Sequence, residues 1–106
     1  MSTKIKSKAI RTLEKITGKE LDFAFLLKSL RECDGLTQEE FGKVLGVKKS
    51  YICDLEHSRT FVSPEQAARF AKALGYPEDY FVRLALEDYV KRNGLSYKIK
   101  LFKEAS

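Results

Sequence analysis

Residues 36–47, LTQEEFGKVLGV, restrict the fold of this chain more than any other stretch. Thr37 followed by Gln38, Glu39 and Glu40 is a capping box: the hydroxyl accepts from a first-turn amide and Glu40 reaches back to the cap. Leu36 before the cap and Phe41 after it form a hydrophobic staple. The helix they start runs through Phe41, Val44 and Leu45 and stops at Gly46, where a left-handed residue turns the chain with no Cβ penalty. Val47, Ile52 and Leu55 then resume an apolar spacing, so a second helix must begin almost at once. Two short helices joined by a tight turn follow, with Gly42 as the small residue where they touch.

The same punctuation recurs along the chain. Asp22 is an N-cap for a helix whose Phe23, Leu26, Leu27 and Leu30 repeat on one face, up to Cys33, expected as a small buried side chain before Asp34-Gly35 ends the element. Ser63 as cap, Pro64 at the first position, Gln66 and Gly75 bracket a helix with Ala67, Phe70, Ala71 and Leu74 inward. The next helix starts at Pro77 with two acids, ends on Lys91 and Arg92 before Gly94, and carries Phe81, Leu84, Ala85 and Tyr89 on a broad apolar surface. At the N-terminus, Lys8 to Ile16 has helical spacing up to Gly18. In the tail, Tyr97, Ile99 and Leu101 alternate with Ser96, Lys98 and Lys100, which predicts a strand. The expected fold is all-α: a five-helix domain over residues 21–94, a basic helical extension at 1–20 and a short C-terminal β-strand in 95–106.

At 106 residues, 43% hydrophobic and 33% charged, the chain suits one globular domain. It lacks an apolar run of the about 20 residues a membrane span requires, and "MSTKIKSKAIRTLEK" lacks the apolar block of a signal peptide, so a cytoplasmic location is expected. The two cysteines, Cys33 and Cys53, are then reduced thiols. The net charge of +5 is uneven: +4 in residues 1–20, −1 in 21–60 and +2 in 61–106. A purely electrostatic polyanion binder would be basic throughout, so recognition must depend on where a few charges point. One histidine, no phosphate-cradling glycine loop and no clustered acid pair argue against an enzyme, and no cofactor is expected. Cys53 and His57 sit one helical turn apart, but two ligands are not a metal site.

Residues 38–57 have what a helix-turn-helix requires: a small residue at the contact, a glycine turn, and Phe41, Leu45, Val47, Ile52 and Leu55 as pins. This leaves Lys48, Lys49, Ser50, Tyr51 and Asp54 on the outward face or leading end of the second helix, where a major-groove reader presents its side chains. Lys49 can donate to guanine O6 and N7, and Ser50 to almost any base edge. Asp54 can accept from a cytosine amino group, or only orient Lys49 or Ser50. Lys43, Lys48, Tyr51 and Arg59 are candidate phosphate contacts, positioning rather than specifying.

The order LRECDGLTQEEFGKVLGVKKSYICDLE, and with it residues 36–75, resembles the lambda-repressor-like helix-turn-helix family of the XRE, or Cro/C1, type. The resemblance implies a five-helix domain that binds duplex DNA, generally as a dimer, with the helix at Lys49 to His57 in the major groove. It implies that Gln38 is a phosphate contact, and that Glu56 pairs with an arginine of the first core helix, a role Arg31 fits. Three residues depart from the pattern: Gly42 where alanine is usual, Ser58 where glycine often follows the recognition helix, and Lys48 at a usually polar cap.

The tail bears on assembly. A strand without a partner in its own chain can pair with its copy across a twofold axis, giving a homodimer with Tyr97, Ile99 and Leu101 in a shared apolar layer; the alternative is pairing with residues 3–7 or fraying. Two functions remain open: a sequence-specific transcriptional regulator, a repressor on an inverted-repeat operator, or an antitoxin that binds a toxin protein and autoregulates its operon. The sequence resembles antitoxins of the host-inhibition-of-growth class as well, and the basic segment at 1–20 is where a toxin would bind.

Overall fold

The computed structural model describes residues 22–104, and the expected helix at 8–16 and the extension at 1–20 lie outside them. Five helices follow in order: α1 (Phe23–Cys33), α2 (Gln38–Leu45), α3 (Lys49–Glu56), α4 (Pro64–Leu74) and α5 (Glu78–Arg92). Their ends are set by local chemistry. Asp22 caps α1 by accepting from the Phe25 amide at 2.8 Å, while Asp88, far along the chain, accepts from the Phe23 amide at 3.1 Å. Thr37 and Glu40 form the reciprocal capping box of α2, at 3.1 and 2.9 Å. Ser63 caps α4 with Pro64 in its first turn, and Gly46 and Gly75 close α2 and α4 in the left-handed conformation.

The core gathers one stripe from each helix. Phe23, Leu26, Leu27 and Leu30 of α1 meet Phe41 of α2, Ile52 and Leu55 of α3, Ala67, Phe70, Ala71 and Leu74 of α4, and Phe81, Leu84 and Ala85 of α5. Each large side chain fully buried here contributes about 1.5–3 kcal/mol. Phe81 anchors an aromatic cluster, edge-on to Phe23 and stacked with Tyr76. α4 packs against α5 and α2 against α3, with α1 bridging α3 and α5.

Some expectations fail. Cys33 is exposed rather than buried, because the last turn of α1 overhangs the core. Tyr89, placed on the broad apolar surface of α5, is also largely exposed. The C-terminal strand is absent: residues 95–104 follow α5 without regular structure, and no strand occurs among the described residues. Alternation gives a strand one apolar face but no ladder, and no backbone edge in the described chain offers one. The tail instead lies against α5, where the Ile99 amide donates to Glu87 at 2.9 Å. Glu87 is buried, and Arg83 donates to it from one turn away at 3.2 Å. Tyr97, Leu101 and Phe102 are left exposed.

Candidate nucleic-acid interface

α2 and α3 are brought together by two glycines with different reasons. At Gly46, φ is +74°, a conformation that side chains rarely adopt. Gly42 has ordinary helical backbone but no space: a Cβ there would lie 2.6 Å from the Val47 carbonyl oxygen. The Gly42 carbonyl in turn accepts from the Val47 amide at 2.9 Å, which fixes the turn leading into α3.

The rear of α3 is clamped. The Glu56 side chain is 2% exposed and accepts from Arg31 of α1 at 2.7 and 3.1 Å and from Gln38 of α2 at 3.0 Å. Arg31 also donates to the Leu36 carbonyl at 2.9 Å, so one guanidinium joins α1, the α1–α2 turn and the end of α3. Burial alone would raise the Glu56 carboxyl, but hydrogen bonds from Arg31 and Gln38, with the charge of Arg31, hold it below the usual glutamate range.

The leading end of α3 is open. Lys48, Lys49 and Ser50 are exposed, and no side chain caps the helix, so its first-turn amides have no side-chain acceptor. This end, about 10 Å along the axis from Glu56, combines two lysines with the positive end of a helix dipole.

The model of the helix-turn-helix domain family matches residues 22–84. The chain belongs to that family. The match is consistent with the XRE, Cro/C1-type resemblance, and a helix-turn-helix domain points to DNA binding and transcription regulation. No curated protein matches the chain. Among the described residues no helix is long and apolar enough to cross a membrane, and no group of three or more His, Cys, Asp and Glu side chains is placed to hold a metal.

Within this helix-turn-helix domain the remaining candidates divide. Lys43 is exposed in the last turn of α2. Asp54 of α3 and Arg59 just beyond its end are tied to each other at 3.0 Å, both half-exposed, and Arg59 also reaches the Cys53 sulfur at 3.4 Å. His57 Nδ1 meets the Cys53 carbonyl at 2.8 Å. Tyr51 donates its hydroxyl to the Phe61 carbonyl at 3.3 Å, and partial burial pushes its phenol above the ordinary value. Gln38 has one amide proton on Glu56, leaving the other available.

Sequence reasoning missed the far side of α3. Ser58 has φ +57°, alone among the described non-glycine residues. The Arg59 amide donates to the Asp54 carbonyl at 2.8 Å and the Ser58 amide to Leu55 at 3.1 Å, a Schellman ending with serine in glycine's place. Arg92 of α5 donates to the carbonyls of Ser58 and Thr60 and lies over the Phe61 ring, which is stacked on Tyr89. A glycine position filled by serine was the only local signal.

Proposed function

We propose that this chain binds duplex DNA sequence-specifically and regulates transcription as a repressor. The observation that carries the reading is the asymmetry of α3: its rear is locked to two other helices through Glu56, while its lysine-bearing front is exposed and uncapped. A helix held this way enters a major groove N-terminus first. Lys49 and Ser50 then reach base edges, with Asp54 beside them once Arg59 turns to a phosphate. Lys43, Lys48, Arg59 and the free proton of Gln38 contact phosphates, positioning the helix without reading sequence. Tyr51 acts by holding the Phe61 loop rather than by giving its proton to a phosphate.

The repressor acts as a homodimer, and residues 95–106 supply the contact. Support comes from the exposed apolar Leu95, Tyr97, Leu101 and Phe102 at the end of the last helix. Two recognition helices related by a twofold axis sit about 34 Å apart, one turn of duplex, and the operator is an inverted repeat.

Selection of bound duplexes from a random pool tests both parts. Enrichment of an inverted repeat with one-turn spacing is expected; a pool left unenriched ends the sequence-specific reading, and a lone half-site ends the dimer. A small second protein that co-purifies through residues 1–20 would move the function to that of an antitoxin.

A further inference from the structure

Arg92 sits at the C-terminal end of α5, where a cation suits the helix dipole. Lys91 beside it supplies the same charge, and the dipole does not account for where Arg92 points. Its Nη2 donates to the Ser58 carbonyl at 2.7 Å and to the Thr60 carbonyl at 3.2 Å, 34 and 32 residues back along the chain. Its guanidinium carbon lies 3.8 Å from the centre of the Phe61 ring, whose other neighbour is Tyr89 at 5.1 Å. A planar guanidinium can stack on a ring and bind carbonyls together; a lysine ammonium is a point charge without the plane.

These contacts converge on the one described non-glycine residue in the left-handed conformation. Serine resists that conformation, and an isolated α3 would unwind there to relieve it. The Schellman bonds at Ser58 and Arg59 exist only while it is held. Arg59 follows directly, with its side chain on Asp54 and beside Cys53 of α3.

We infer that Arg92 is a positioning residue for DNA binding: it clasps Ser58 in the left-handed turn and thereby holds Arg59 at the flank of the recognition helix. The inference rests on the DNA-binding reading above. It makes the end of α5 part of the binding apparatus although α5 does not enter the groove. Glycine at position 58 would hold the turn unaided, so the clasp is needed because serine stands there.

The test uses the full chain as wild type, Arg92→Ala and Arg92→Ala/Ser58→Gly. Amide hydrogen exchange needs no DNA: in Arg92→Ala the Ser58 and Arg59 amides should exchange about fivefold faster while the Leu27 amide is unchanged, and glycine at 58 should restore them. The second readout is affinity for a fluorescent duplex of random sequence across salt concentrations. Arg92→Ala should bind about fivefold more weakly, with the salt slope reduced by about 1, and the double variant should recover both. Unchanged exchange at Ser58 and Arg59 in Arg92→Ala overturns the clasp. Exchange restored by glycine without affinity or slope overturns the positioning role, because Arg92 then touches DNA itself. A wild type that ignores the duplex instead ends the DNA-binding reading, while exchange still decides the clasp.

Discussion

Glu56 shows how a residue's neighbours decide its meaning. Beside two lysines in sequence, it is an anion in a segment proposed to meet a polyanion; in the fold it is sealed against Arg31 and Gln38 at the far end of the helix. Because its carboxyl is held below the usual glutamate range, its stabilisation is present above the unfolded-state pKa and lost as pH falls through the depressed folded value. Glu56→Gln should lower stability at neutral pH by about 3 kcal/mol, with the deficit shrinking as the medium is acidified through that range. Urea denaturation at several pH values measures it, and a deficit independent of pH would remove the charge from the explanation. Asp88 runs the other way: burial raises its carboxyl, opposed by the Phe23 amide, so its contribution is present in acid and lost as pH rises through the raised value. On the surface, Lys49→Ala should cost about 1–3 kcal/mol in a competition assay at one base position, whereas Gln38→Ala should weaken all sequences alike. A uniform loss from Lys49→Ala would make that lysine a phosphate contact.

At the scale of elements, the turn between α2 and α3 is tighter than alanine permits. Gly42→Ala places a methyl 2.6 Å from the Val47 oxygen, backbone that cannot swing aside. The change should therefore destabilise by about 1–2 kcal/mol although alanine is about 1 kcal/mol the better helix former. Chemical denaturation checks the sign, and a gain in stability would mean that the turn opens freely. The helix boundaries were legible in the sequence because a cap is settled within four residues: Thr37 with Glu40, Ser63 with Pro64, Gly46 and Gly75 all lie beside what they terminate. The same local grammar misled at both ends of the domain. Cys33 continues the apolar stripe of α1 past the edge of the core, and the alternation of Tyr97, Ile99 and Leu101 specifies a face but finds no strand to pair with among the described residues. Arg92 and Ser58 meet across 34 residues, a separation at which no periodicity connects them.

For the molecule as a whole, the charge of +5 matters less than its placement. The stretch that contains α1 to α3 is slightly acidic, yet within it Glu56 is sealed against Arg31 and Asp54 is paired with Arg59, while Lys48 and Lys49 stay exposed. Assembly is proposed to rest on the tail. Ending the chain after Gly94 removes Leu95, Tyr97, Leu101 and Phe102, and light scattering should then report the mass of one chain; a dimer of undiminished stability would locate the contact elsewhere. The Arg31 clamp carries a last consequence for anyone who would transplant the reading edge. A cassette cut at residues 36–75 takes Glu56 and Gln38 along and leaves Arg31 behind, so on a foreign scaffold the acid would keep its bond from Gln38 but lose both bonds from Arg31 and its counter-charge. A successful graft must bring α1 with it, or install a base opposite position 56.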